Sequence, residues 1–223
     1  MATTVYKAAG IPVFPPHADP SGDCVLRRLL TAEPERAALA WPEGFEGGLC
    51  HRLDTSTSGA LLVADDPHEL AEVRAAFAAR TFTKTYRLWS AHDVPWDAHR
   101  CDARLAHAKA RKGRMVVERG ANTAHRGRWY EAHTTFERLS PRLWRATMTT
   151  GVMHQIRLHA AFLGLPLAGD AHYGGGPLPE HAPPEALFLL HHEGLTDRER
   201  WATTPVPLPA WADLGPIAAA RPR

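Results

Sequence analysis

The sequence predicts an α+β fold built on a mixed or antiparallel sheet, and three observations carry that expectation. Stretches rich in β-branched and aromatic residues outnumber stretches with helical periodicity. The two kinds do not alternate one for one, as a doubly wound parallel sheet requires. Nineteen prolines and seventeen glycines are spread along the chain, which gives many turns and no long linker.

The elements follow in chain order. Residues 60–64, ALLVA, lie between Gly59 and Asp65-Asp66-Pro67 and read as a buried strand. Asp66 is placed to cap the next helix, with Pro67 at its first position, Glu69 three residues after the cap, and Leu70, Val73 and Phe77 on one face. TFTKTYRLWSA (81–91) reads as a strand. RMVVE (114–118), WYEAHTTFERL (129–139) and LWRATMTT (143–150) read as three more, the last two forming a hairpin across Ser140-Pro141. MHQIRLHAAFL (153–163) sets Ile156, Ala160 and Leu163 on one helical face, and Gly164 terminates it. Residues 174–186 and 212–223 read as loop and loose tail.

With 223 residues, 44% of them hydrophobic, the chain suffices for one sizeable core, and a single domain over 1–223 is expected. A net charge of +2 excludes a histone-like polycation but allows a local basic groove. Cys24, Cys50 and Cys101 are odd in number and lack CxxC spacing, which argues against a disulfide framework or a cysteine zinc site and for a reducing compartment. Neither a leader pattern nor eighteen consecutive apolar residues is readable, so a cytoplasmic protein without a membrane partner is expected. The motifs GxxxxGK[ST], GxSxG and strand-borne GxGxxG are missing, which removes support for triphosphate hydrolysis, serine esterase chemistry and a dinucleotide cofactor. His154 and His159 are five apart and no HExxH occurs, so no metal is expected.

On spacing alone, Asp54 in HRLDTSTSG (51–59) reads as a loop acid bonding nearby amides, Tyr86 as a half-buried strand residue, and Arg157 as part of a solvated helix face. Nothing in their spacing joins the three.

The segments that hold them do resemble one family, the RluA-type pseudouridine synthases. HRLDTSTSG is similar to that family's HRLDxxTSG, TKTYRLW (83–89) to its Lys-x-Tyr strand, and TGVMHQIRLHAAFLGLPLAGDAHYGG (150–175) to its GRxHQIRxH…GxPIxGDxxYG segment. KAAGIPVFPPH (7–17) resembles its opening KPxGxxVHP, with Ala8 in place of proline, and ALFLLHHEGL (186–195) with PVPLPAW resembles its closing strand. The resemblance implies the pseudouridine synthase fold, with a central sheet flanked by helices and loops around a catalytic cleft. It implies isomerisation of uridine in RNA, an rRNA or tRNA stem-loop, by a monomer without cofactor or metal. It also implies that the RNA-binding domain many members carry in front is absent.

By the same resemblance Asp54 is the nucleophile, Arg157 its bidentate partner, and Tyr86 the ring that stacks on uracil near the proton leaving C5. Arg52 is expected to contact the RNA and to take the space of a flipped nucleotide. His51, Thr57, Lys84, His154 and Gln155 share these motifs and are expected to face the substrate. Lys109, Arg111, Lys112 and Arg114 form the densest basic run and are expected to meet phosphates. Loops 97–128 and 174–186 are expected to choose the target. Two positions depart from the family pattern: Thr55 and Val152 stand where arginines are usual. Both losses of charge point to a different RNA target, to weaker phosphate binding, or to a catalytically silent RNA-binding relative.

Overall fold

The computed structural model describes residues 1–110, 112–180 and 182–212. Arg111 and residues 213–223 of the expected tail therefore lie outside the described residues. Ala212, assigned to that tail, is instead fully buried beside Leu143, Leu189 and Trp211, and its carbonyl accepts from Arg87 Nη1 at 2.6 Å.

Strands and helices follow in the order β1 (Thr3–Lys7), α1 (Val25–Ala32), β2 (Ser58–Val63), α2 (Pro67–Ala78), β3 (Thr83–Trp89), β4 (Ala98–Cys101), β5 (Leu105–Ala108), β6 (Met115–Val117), β7 (His125–Tyr130), β8 (Thr134–Ser140), β9 (Leu143–Met148), α3 (Gln155–Phe162) and β10 (Leu190–Thr196). Seven strands form one sheet in the order β1-β2-β10-β3-β9-β8-β4, and β6-β5-β7 form a second. Among the described residues only the β2–β10 pair of the main sheet is parallel, so that sheet is mixed, within the α+β expectation. Among the described residues no helix is long and apolar enough to cross a membrane.

Strand alternation explains the layering. Leu61 and Val63 of β2 point into a core with Tyr86, Leu88, Phe136, Trp144, and Ile156 and Ala160 of α3. Leu62 and Ala64 point the opposite way, to Leu70 and Val73 of α2. All six residues of β2 are buried, which suits its unbroken apolar run. Asp66 caps α2 through the Glu69 amide at 2.8 Å. The Glu69 carboxylate does not close a capping box onto the cap residue; it receives the amides of Asp65 and Ala2, at 3.0 and 2.8 Å, and so ties β1 to the helix.

Two expectations are corrected. Residues 97–128 are not one loop, because β4, β5, β6 and the start of β7 lie there. Residues 129–139 are not one strand: the chain leaves the small sheet after Tyr130 and enters the main sheet at Thr134. A continuous β-rich composition carries no mark of that change of sheet. The junction is held by Gln155, whose Nε2 donates to His133 O and Thr134 Oγ1 while its Oε1 accepts from Thr150 Oγ1 and Val152 N.

Candidate active site

Asp54 sits on the turn entering β2, and three features hold it. The Thr57 amide closes the turn on its carbonyl at 2.9 Å, and Leu53 beside it is sunk in the main core. Gly59, at φ +130°, lets β10 lie against β2, since a Cβ there would stand 2.1 Å from His192 O. From β1 comes Lys7, fully buried, whose ammonium donates to Thr55 O at 2.9 Å and Ala8 O at 3.0 Å. Burial lowers the Lys7 pKa to about 8, and the charge of Asp54 works against that fall.

Arg157 approaches from the first turns of α3. Its partner in a two-pronged pair is Asp170, with Nε–Oδ2 at 2.7 Å and Nη2–Oδ1 at 2.9 Å, and both side chains are buried. To Asp54 it offers one contact, Nη1–Oδ2 at 3.3 Å. The expected bidentate Asp54–Arg157 pair is thus corrected: the fork is spent on Asp170. The guanidinium also lies 4.3 Å from the Phe188 ring centre and 5.1 Å from that of Tyr173. Arg157 is 5% exposed, which removes the solvated-face reading.

Asp170 belongs to a tight loop closed by Gly175, where a Cβ would meet Leu167 O at 1.8 Å. Tyr173 of that loop accepts the Met115 amide at 3.2 Å and shares a 2.7 Å hydrogen bond with His154 Nδ1. His154 opens α3 in the left-handed region, φ 57°, and is half-buried; burial pushes its pKa below the usual histidine range, offset in part by Asp54. Arg114 Nη1 reaches His172 O at 3.5 Å, the outer limit of a hydrogen bond. The β5–β6 hairpin is therefore fastened to the loop that orients Arg157.

Tyr86, on β3, is 7% exposed and packs on His192 with ring centres 4.5 Å apart. Burial first, and the Asp54 charge second, push its phenol well above the usual 10, so it carries its proton at neutral pH. It can donate or stack, but it is no ready phenolate base.

The structure gathers Asp54, Tyr86, Arg157 and His154 around one site and leaves Arg52 exposed beside them. Lys109 and Lys112 are exposed on the turn between β5 and β6. Three expectations fail. His51 turns inward, Nε2 accepting the Leu62 amide at 3.1 Å and the ring packing on Phe77 and His192. Thr57 is 2% exposed. Gln155, also 2% exposed, spends its whole amide at the sheet junction. Lys84 faces a side cleft, donating to Thr150 O at 2.9 Å, and burial lowers its pKa to about 8. Lys7, Asp170 and Tyr173 join the site from within the same patterned segments, although nothing in the sequence sets them apart from their neighbours there. Among the described residues no group of three or more His, Cys, Asp or Glu is arranged to hold a metal ion.

The basic residues are unevenly spread. Residues 104–130 hold eight of the chain's twenty-six Lys and Arg but one of its twenty-four Asp and Glu, and that one, Glu118, is paired with Arg104 at 2.6 Å. The small sheet next to the site is therefore strongly positive.

Comparison with known proteins points to one family. The family described as RNA pseudouridylate synthase matches residues 3–162. RNA pseudouridine synthase 2, chloroplastic, of Oryza sativa subsp. japonica is 33% identical over 143 residues, 63% of this chain and 31% of that protein. Ribosomal large subunit pseudouridine synthase D of Yersinia pestis is 30% identical over 190 residues, 83% of this chain and 54% of that protein. The chain thus spans less than two thirds of the length of these curated relatives. Among solved structures, Human RNA Pseudouridylate Synthase Domain Containing 1 superposes with a TM-score of 0.71 over 95% of this chain and 82% of that one, at 23% identity, a likeness of fold.

Proposed function

The chain belongs to the RNA pseudouridylate synthase family, and on that premise we propose that it isomerises uridine to pseudouridine in RNA, with Asp54 as nucleophile. One observation carries the reading: a half-buried carboxylate touched by an arginine that a second, buried carboxylate fixes in place, with a buried tyrosine on β3, separated from β2 by β10, close enough to feel its charge. That arrangement suits a reversible covalent step, in which a carboxylate attacks and later leaves.

The uridine is flipped out of its helix, since its ribose and ring cannot both be reached within a stack. Arg157 directs the Asp54 oxygen towards the substrate, and the attacked atom is C1′ or C6. After the glycosidic bond to N1 breaks, the ring turns, its C5 bonds to C1′ and the covalent bond to Asp54 breaks to return the carboxylate, while N1 takes up one proton to balance the one that C5 must lose. A proton then leaves C5. Tyr86, protonated, holds the ring, and it accepts that proton only if its own is passed on at the same moment.

The substrate class, structured RNA of ribosomal or transfer type, is supported by the positive sheet beside the cleft and by the name of the Yersinia relative. The finer assignment to the RluA type rests on HRLDTSTSG and the HQIR segment. A monomer in the cytoplasm completes the proposal; the three cysteines are free and buried, as a reducing compartment permits.

The experiment is a transcriptome-wide pseudouridine map by carbodiimide labelling, comparing the source strain with and without the gene and with Asp54→Asn in its place. Sites that vanish on deletion and return only with the wild-type gene establish the activity. An unchanged map under every growth condition overturns it.

A further inference from the structure

A cleft of about 300 Å³ opens next to the catalytic site. Its walls are Phe77 and Arg80 from the end of α2 and the turn after it, Lys84 from β3, Tyr130 from the end of β7, and Thr150 and Val152 from the β9–α3 connection. Lys84 precedes Tyr86 by two residues on one strand, a separation of about 7 Å. Val152 precedes His154 by two. The cleft therefore shares both its carrying segments with the site.

Its chemistry centres on Lys84. The ammonium has three donors and spends one on Thr150 O at 2.9 Å, 5.4 Å from the Phe77 ring centre. No carboxylate pairs with it among the described residues. An ammonium drawn mostly out of water is costly to keep without an anion. The neighbouring backbone makes room for it, since a Cβ on Gly151 would stand 3.0 Å from Nζ. Arg80 is the second cation on the wall and has no ion-pair partner among the described residues. Glu131, the acid on this wall, is exposed and lies in the field of Arg104. Val152 stands where the family pattern has an arginine, so Lys84 and Arg80 are the cations that remain.

We propose that this cleft seats a phosphodiester of the bound RNA next to the flipped uridine, its non-bridging oxygens meeting Lys84 and Arg80. The proposal rests on the synthase reading in taking RNA as the ligand. Free inorganic phosphate shares that chemistry and is separated by the test.

The test is fluorescence anisotropy with a fluorescein-labelled RNA stem-loop carrying uridines in its loop, over a salt series, for wild type, Lys84→Met and Arg80→Asn. Asparagine tolerates the left-handed φ of 59° at position 80, so that variant keeps the backbone. Each variant is expected to bind roughly tenfold more weakly at low salt and to lower the slope of log K against log salt by about 0.7–0.9, one phosphate contact. Thermal melting identifies any variant that has lost its fold, and Arg80→Asn, exposed, keeps the question decidable. Folded variants with an unchanged slope overturn the seat while leaving the synthase reading intact. Inorganic phosphate that binds wild type but not Lys84→Met, with RNA slopes unchanged, makes it a free-anion site and likewise overturns it. A wild-type protein that binds no RNA removes both readings.

Discussion

Arg157 grips Asp170 twice, at 2.7 and 2.9 Å, and touches Asp54 once, at 3.3 Å. The buried carboxylate aims the guanidinium, and the guanidinium presents its remaining arm to the half-exposed one. Both charges of the tight pair are out of water, so removing one strands the other.

Asp170→Asn keeps the shape and removes the charge. Turnover in single-turnover assays is expected to fall on the order of 10²-fold, the cost of a nucleophile displaced by about 1 Å, with RNA affinity nearly unchanged. Asp170→Ala is expected to cost about 3–5 kcal/mol in urea unfolding. A raised KM with unchanged kcat for Asp170→Asn would place the residue in RNA binding and sink the aiming role.

Asp54→Asn is expected to abolish pseudouridine formation while the protein folds and binds RNA as before. The Asp54 side chain is 35% exposed and its contact with Arg157 is single, so the lost pair weakens folding by less than about 1 kcal/mol. The readout is carbodiimide-detected pseudouridine in total RNA beside a thermal melt. Measurable turnover by this variant removes Asp54 as nucleophile.

Tyr173→Phe deletes one oxygen that serves two partners. The Met115 amide, on a residue 3% exposed, loses its acceptor, which costs about 1–3 kcal/mol. His154 loses its Nδ1 partner. Amide exchange at Met115 is expected to quicken and turnover to fall; exchange as slow as in wild type would show that the hairpin is held by something else.

The catalytic elements were legible because each lay in a short, strongly patterned segment. The ALLVA strand, the helix capped by Asp66 and the helix over residues 153–163 appear within a residue or two of their expected bounds. Helix α1 was illegible because its cap is Cys24, whose Sγ accepts the Arg27 amide at 3.4 Å, and sulfur is not a capping signal. Of the strands between residues 98 and 130, β6 lies inside the expected RMVVE, whereas β4, β5 and the start of β7 are short or largely polar, so their pattern is weak. His51 and Gln155 depart from expectation for a different reason. A motif shows that residues act together but not which of them face the substrate and which hold the scaffold, and both of these satisfy buried backbone groups.

The last prediction concerns acid stability. His191 and His192 stand side by side on β10, fully buried, and burial lowers both pKa values to about 4. His191 Nδ1 bonds Ser58 Oγ at 2.9 Å, and His192 Nδ1 donates to Ala60 O at 2.6 Å. Among the described residues neither Nε2 makes a hydrogen bond, and the Gly194 backbone near His192 offsets the burial only in part, so a second ring proton would be poorly satisfied. In the unfolded chain both rings titrate near the ordinary value of about 6.5. Between that pH and about 4 the unfolded state binds protons that the native state refuses. The stability these neutral rings allow is therefore complete above pH ~6.5 and is lost as pH falls towards 4. Each ring contributes up to about 3 kcal/mol of that loss, a large share of the roughly 5–15 kcal/mol that holds such a domain together. His51, pushed well below its usual range by burial, adds in the same direction. Urea unfolding from pH 7.5 to 4.5 is expected to show this decline. His192→Asn, which keeps a donor for Ala60 O and does not titrate, is expected to reduce its steepness by about 1.4 kcal/mol per pH unit, one proton's worth. A variant whose stability falls as steeply as wild type would mean that His192 is protonated in the folded protein after all, and that the packing of Tyr86 against it tolerates a charge.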